Sequence, residues 1–392
     1  MTSELSISAL TESFGAPEDV RSFAHTPGTG IVFGVGEIVR LSELCKKHGG
    51  SRILIVSDPG IAKAGHSARV KSLIEDSGLF AAVFDDVREN PTTEDVRLCV
   101  QAAQENEIDF IVGLGGGSSL DTAKGCNFIL TNGGHMRDYW GVGKAEKPML
   151  PFIAVPTTAG TGSECQSFAL IADSETHMKM ACGDKKAAAK AAILDPELTL
   201  TQPRSVTVHT GMDAITHAVE TAVTKKRTET SFAYSKLAFS LLNEGFESVL
   251  QSPDELVGRA QMLLGAAYAG TAIENSMLGA AHSCANPLTA KFGIVHGEAV
   301  GVMMPQVVRF NAEDEEVASI YGELFEGHLA ARLEELLVRA AMPLSLSDYS
   351  ISADSLDELA EAASKQWTAQ FNPREVDVAS LRALYQSAMS VG

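Results

Sequence analysis

At 392 residues the chain is too long for one ordinary hydrophobic core, so two domains are expected. Hydrophobic residues make up 45% and charged residues 21%, as in ordinary globular chains, while the formal net charge is −19. That acidity argues against nucleic acid or an anionic membrane surface as a partner, since both select clustered Lys and Arg; no apolar run is long enough to span a bilayer.

Residues 1 to about 25 are acidic and aperiodic and read as a peripheral arm. They lack a basic segment followed by an apolar one, so no secretory signal is read and the cytoplasm is the expected location. From Gly30 the texture is α/β. Ile31–Gly34 reads as a short strand and Glu37–Lys47 as a helix. Arg52–Asp58 is a β-branched run ending in an acid, the pattern of a buried parallel strand. A helix over Ile61–Ser77 and a strand at Phe80–Phe84 follow. Pro91 with Thr92 or Thr93 marks the start of a helix running to about Glu105. Asp109–Leu114 is another buried strand, which opens into Gly115-Gly116-Gly117-Ser118 and a further helix. Phe152–Pro156 is a strand ending in Thr157-Thr158-Ala-Gly-Thr-Gly-Ser163-Glu. Ser167–Ile171 and Lys179–Cys182 suggest a hairpin, and Ala191–Asp195 is the last strand-like run.

Strands alternating with helices imply a mostly parallel sheet covered on both faces. After Asp195 the texture changes to Ala, Leu, Glu and Gln, with helices expected over 204–222, 228–251, 254–284, 297–311, 316–341 and 355–390. The expected architecture is therefore a Rossmann-like α/β domain over residues 1–195 and an all-α domain over 196–392, with Pro196 and Pro203 bracketing the boundary. The six cysteines, Cys45, Cys99, Cys126, Cys165, Cys182 and Cys284, form no CxxC pair and read as reduced thiols.

Two stretches carry chemistry. A strand opening through glycines into a helix brings backbone N–H groups to a phosphate, because glycine permits close approach and the helix start favours negative charge. Here the spacing is not G-x-G-x-x-G, and a tight turn without ligand is the competing reading. Asp58, at the end of an earlier strand, suits either the ribose hydroxyls of a dinucleotide or a helix N-cap. In the second half, Asp213 and His217 are spaced i, i+4 and share one helical face. His282 and His296 lie in small, apolar surroundings on either side of Pro287, which is expected to disturb any helix through it. A carboxylate with three imidazoles suits Fe²⁺, Zn²⁺, Co²⁺ or Ni²⁺, although each histidine alone reads more readily as a hydrogen-bonded core residue than as a ligand. Cys284 lies close by in sequence.

Taken together, Gly115-Gly-Gly-Ser118, Pro156-Thr-Thr-Ala-Gly-Thr161, Thr210-Gly-Met-Asp213-Ala-Ile-Thr-His217-Ala-Val-Glu220, the His282–His296 segment and Asn372-Pro-Arg374 resemble the iron-containing (group III) alcohol dehydrogenases, in the family's order, from about Gly30 onward. The resemblance implies a Rossmann-like domain, a helical domain and a cleft between them. It implies one ion, Fe²⁺ foremost with Zn²⁺ or another divalent metal possible, on Asp213, His217, His282 and His296. It implies NAD rather than NADP, with the pyrophosphate on Gly115, Gly116, Gly117 and Ser118, the nicotinamide end beside Thr157 and Thr158, Lys179 touching the cofactor, and Asp58 where NAD-preferring members carry an acid. The implied substrate is a small alcohol or aldehyde, and a homodimer or higher homo-oligomer is the implied assembly. One position departs. The family reads His-x-x-x-His-Pro, whereas this chain reads His282-Ser-Cys-Ala-Asn286-Pro287, so the usual proton-relay histidine is an asparagine and Asn286 becomes the candidate catalytic side chain. Two rivals stand beside this reading. One is a metal-dependent sugar-phosphate cyclase of the dehydroquinate synthase type, which would need more Lys and Arg than Lys291 near the ligands. The other is a non-catalytic nucleotide- or metal-binding protein.

Overall fold

The computed structural model describes residues 28–176 and 178–389, so the expected N-terminal arm lies outside them. The chain divides into two compact units, the first ending at Gln202 and the second beginning at Pro203. The one-turn helix Pro196–Thr199 stays with the first unit because of Asp195. The buried Asp195 carboxylate caps that turn at the Glu197 N–H (3.1 Å) and also accepts from the Gly36 and Ile38 N–H groups (3.0 and 3.2 Å).

The first unit holds a six-stranded parallel sheet in the order β1-β9-β6-β4-β2-β3. Its strands are β1 (Gly30–Phe33), β2 (Arg52–Val56), β3 (Phe80–Phe84), β4 (Phe110–Gly115), β6 (Phe152–Pro156) and β9 (Ala191–Leu194). Successive side chains point to opposite faces, and both faces are buried. Ile53, Ile55, Val112, Leu114, Ile153 and Ile193 form one core with Leu41, Val70 and Ile74 from α1 (Leu41–Lys47) and α3 (His66–Asp76). Leu54, Val56, Ile111, Phe152 and Ala154 form the other, with Val96, Cys99, Leu120 and Phe128 from α4 (Thr93–Glu105) and α5 (Gly117–Asn132). The helix expected over Ile61–Ser77 is two pieces, α2 (Pro59–Lys63) and α3, because Gly65 takes a left-handed conformation between them (φ 86°). The expected hairpin is present as β7 (Phe168–Ala172) and β8 (Lys179–Gly183), and a short strand not expected from sequence, β5 (Gly141–Val142), completes a separate three-stranded sheet.

Among its described residues the second unit is helical. It runs α6 (Arg204–Thr221), α7 (Glu229–Gln251), α8 (Leu256–Glu274), α9 (Ala280–Phe292), α10 (His296–Asn311), α11 (Glu315–Leu324), α12 (Leu329–Ala340), α13 (Leu356–Ser364) and α14 (Val378–Met389). Three expected helices are each broken in two. The stretch 254–284 stops at Glu274 and restarts at Ala280, where the Ala280 and Ala281 N–H groups bond to Asn372 Oδ1 (3.3 Å) and Glu220 Oε1 (2.7 Å). The stretch 316–341 is interrupted before Leu329, with Gly327 at φ 129°, and 355–390 is interrupted around Asn372-Pro373. Conversely, Pro287 does not break α9. A proline removes one helical bond, and the neighbouring Cys284 carbonyl is held by the Tyr385 hydroxyl at 2.7 Å. No helix among the described residues is long and apolar enough to cross a membrane.

Candidate active site

In the first unit the site residues follow from how β4 ends. Gly115 turns the chain at φ 148°, and any side chain there would press on Ser119 and on Asp58 Oδ2. A Cβ on Gly117 would stand 2.7 Å from Thr161 Cγ2, so the loop lies directly against the threonine-rich turn after β6. The Thr157 N–H donates to the Gly115 carbonyl at 3.0 Å and pins the two turns together. Helix α5 has Gly116 at its N-cap and no side chain capping it, which leaves its first N–H groups to a ligand or solvent. Gly116, Gly117 and Ser118 are half-buried. The buried Thr157 hydroxyl has no hydrogen-bond partner among the described residues.

Of the two readings made of Asp58, the structure shows the helix cap. Its Oδ1 caps α2 at the N–H groups of Gly60 (2.9 Å) and Ile61 (3.1 Å). Its Oδ2 accepts from the Ser119 hydroxyl at 3.1 Å, at the glycine turn. Lys179 opens β8 and is exposed. Sequence reasoning missed the brace beneath this turn. The buried Lys124 ammonium donates to the Ser163 carbonyl (2.6 Å), the Ser163 hydroxyl (2.8 Å) and the Phe168 carbonyl (2.8 Å). Ser163 in turn donates to Asp121 at 2.6 Å. Burial raises the Asp121 carboxyl despite Lys124. Burial also pushes Glu164, whose Oε1 has no partner among the described residues, up to about 7.

In the second unit α6 is buried along almost its whole length. Asp213, His217 and Glu220 recur at i, i+4 and i+7 and so lie on one face. His282 comes from the first turn of α9 and His296 is the first residue of α10. Asp213 Oδ1 is 3.3 Å from His217 Nε2, 3.4 Å from His282 Nε2 and 3.7 Å from His296 Nε2. The rings of His217 and His282 stack at 4.8 Å and 17°, and His296 is tilted against His282 at 5.4 Å. Ligand atoms of Asp213, His217 and His282 lie within 4.8 Å of one another. His296 stands at the edge of this group with a third of its side chain exposed.

These residues fit a divalent cation. Asp213 Oδ1 and His282 Nε2 are buried and have no hydrogen-bond partner among the described residues, a costly arrangement for two polar atoms facing one another. Behind His282, Glu220 Oε2 meets Nδ1 at 2.6 Å, which holds the proton on Nδ1 and turns the lone pair of Nε2 toward Asp213. Burial alone would raise Asp213, but the charges of His217, His296 and His282 outweigh it and hold the carboxyl well below the usual range. Burial alone would lower His282, but Glu220 and Asp213 outweigh it and lift the imidazole to about 9. Such a cluster binds protons tightly when no cation replaces them. Cys284 is not part of the group; burial pushes its thiol up, and all six cysteines are buried free thiols.

Glu220 was missed in the sequence although it continues the Asp213–His217 stripe by one further turn. Asn372 also gains a role: it exchanges amide bonds with Asn311 (2.8 and 3.2 Å) and caps α9. Asn286, one turn beyond His282, donates to Gln366 Oε1 at 3.0 Å.

An α/β unit with a glycine turn at a helix start, joined to a helical unit bearing a buried Asp/His cluster, is the frame of a metal-dependent, nucleotide-using oxidoreductase. Residues 28–196 match the family model for iron-containing alcohol dehydrogenase, and residues 207–389 match that for the C-terminal part of the Fe-containing alcohol dehydrogenase family. Similar proteins include alcohol dehydrogenase 4 of Schizosaccharomyces pombe, 33% identical over 91% of this chain and 87% of its own. The NAD-dependent methanol dehydrogenase of Bacillus methanolicus is 33% identical over 91% of this chain and 97% of its own. The crystal structure of a 1,3-propanediol oxidoreductase superposes with a TM-score of 0.88 at 29% identity, covering 92% of this chain and 98% of that one. The chain belongs to the iron-containing alcohol dehydrogenase family, as its motifs led one to expect, and it is an oxidoreductase of alcohols and aldehydes. The cyclase and non-catalytic readings give way to this one.

Proposed function

We propose that this chain is an NAD-preferring, metal-dependent dehydrogenase that moves a hydride between nicotinamide and a small alcohol or aldehyde. The observation that carries the reading is the pair of buried, unbonded atoms, Asp213 Oδ1 and His282 Nε2, backed by Glu220. Asp213, His217, His282 and His296 would hold the cation, Fe²⁺ foremost. The bound ion supplies Lewis acidity toward the oxygen of the alcohol or carbonyl, and the nicotinamide takes or gives the hydride. Asp213 supplies the set's negative charge, and Glu220 keeps His282 in the tautomer that leaves Nε2 free. Gly115, Gly116, Gly117 and Ser118 would receive the cofactor pyrophosphate on the free N–H groups of α5. Thr157 and Thr158 would face its nicotinamide end, with the unbonded Thr157 hydroxyl as a donor, and Lys179 would contact the cofactor. Asp58 Oδ2, beside that turn, suits ribose hydroxyls and repels a 2′-phosphate.

Asn286 has no useful pKa near neutrality and cannot shuttle a proton. Its bond to Gln366 uses an amide N–H and leaves Oδ1 for a substrate hydroxyl. We take it as a neutral substitute for the family histidine, one that can hydrogen-bond a substrate hydroxyl but carries no proton itself. Asn286→Ala then lowers kcat/KM modestly and leaves the metal bound. A loss of ~1,000-fold, the size seen when an oriented transition-state donor is removed, makes Asn286 catalytic in its own right. A homodimer or larger homo-oligomer and a cytoplasmic location complete the proposal, the latter in keeping with six free thiols. The deciding experiment is NADH production from a panel of short alcohols by the Fe²⁺-loaded chain. Turnover of none of them, in either direction, refutes the reading.

A further inference from the structure

Of the four proposed ligands, His296 lies farthest out. Its Nε2 is the farthest from Asp213 Oδ1, and its side chain is 33% exposed against 5–6% for His282 and His217. It is also the first residue of α10, and the preceding Val295 offers that helix no side-chain cap. An uncapped first turn is where a helix frays, and a ligand there needs some other constraint.

That constraint lies two residues on. Glu298 uses both carboxylate oxygens on two other segments. Oε1 is 3.0 Å from His209 Nε2, one turn before Asp213 on α6. Oε2 accepts from the Tyr349 hydroxyl at 3.0 Å, at the end of the one-turn helix Leu346–Tyr349. Between Glu298 and His296 sits Gly297, where any Cβ would run into the His209 carbonyl, so α6 and α10 touch through backbone at this point. A carboxylate in a first helical turn is also favoured by the helix dipole. The start of α10, which carries the His296 imidazole, is thus tied to α6 by Glu298 as well as by the Gly297 backbone contact.

We propose that Glu298, clamped by His209 and Tyr349, is a positioning residue for His296 that sets how completely this imidazole joins the cation site. The inference rests on the reading of Asp213, His217, His282 and His296 as metal ligands. The test uses the full chain stripped of metal and titrated with Co²⁺, reading affinity and the visible absorption that reports coordination. The unaltered chain is expected to bind one Co²⁺. Glu298→Ala weakens binding by about 10–100-fold, as for other outer-shell partners, and changes the absorption. Glu298→Gln, whose amide oxygen still accepts from Tyr349, falls between. In a His296→Ala background Glu298→Ala costs no more than about two-fold further, because the residue through which it acts is gone. Equal losses in both backgrounds overturn the proposal, since Glu298 then serves only the fold, and so does unchanged affinity in Glu298→Ala. If Glu298→Ala does not fold, Tyr349→Phe, which deletes one hydroxyl, carries the same cycle. Failure of the unaltered chain to bind Co²⁺ overturns the metal reading and this proposal together, whereas normal binding with a flat cycle overturns this proposal alone.

Discussion

Replacing Glu220 by glutamine keeps the shape of the side chain and changes what it offers. In the native chain Oε1 accepts from the Ala281 N–H at 2.7 Å and Oε2 meets His282 Nδ1 at 2.6 Å. An amide has one acceptor oxygen. With its oxygen on Ala281, glutamine presents N–H to Nδ1, so the His282 proton moves to Nε2, the nitrogen facing Asp213. With its amide turned round, the Ala281 N–H loses its partner at the start of α9. In the first case a charge-assisted bond becomes a neutral one, and in the second the bond to the Ala281 N–H is lost, about 1.5–3 kcal/mol. In the first case a proton also occupies the nitrogen a cation needs. Loss of such an outer-shell partner lowers metal affinity about 10–100-fold, or about 1.4–2.7 kcal/mol. The assay is calorimetric titration of the metal-free chain with Zn²⁺ or Co²⁺, alongside its thermal midpoint. Glu220→Gln binding the metal with native affinity would refute the reasoning, and so would a drop in thermal midpoint without a drop in affinity.

Three further outcomes are expected. His282 is lifted to about 9 in the metal-free chain, so its charged form stabilises that fold fully below the ordinary 6.5, and the contribution is lost as pH rises through about 9. A cation needs the neutral ring, so affinity should climb by up to about tenfold per pH unit toward 9; a flat profile between about pH 6 and 8 contradicts the assignment. Asp58→Asn keeps the cap on α2, because Asn caps as well as Asp, but removes the charge that the proposed function sets against a 2′-phosphate. It should narrow the preference for NAD over NADP with little change in melting, and equal kcat/KM for both cofactors in the unaltered chain sinks the idea. Gly297→Ala forces α10 away from the His209 carbonyl and should cost about 1–3 kcal/mol by overpacking, read as a lower denaturation midpoint; an unchanged midpoint would show that the crossing is loose.

Much of this protein is legible in its one-dimensional pattern. Ile53-Leu54-Ile55-Val56 announces a strand buried on both faces, and its alternate side chains do enter two different cores. Asp213 and His217 announce a shared helical face, and the glycines after β4 announce a turn that cannot carry side chains. These features are local: a period of two or of 3.6 residues, or a missing Cβ, is set by backbone geometry alone. Helix ends were less legible because distant partners make them. The break before Ala280 is defined by Glu220 and Asn372, 61 and 92 residues from the N–H groups they cap, and α9 runs through Pro287.

The candidate site divides in the same way. Its residue types and half its geometry follow from sequence, since a carboxylate and an imidazole four apart on a helix must be neighbours. Which nitrogen of His282 faces inward, which carboxylate stands behind it, and what holds the first turn of α10 depend on pairs far apart in the chain, Glu220 with His282 and His209 with Glu298. A periodicity reports which face is buried but carries no information about what that face meets, and the partner is chosen only when the helices pack.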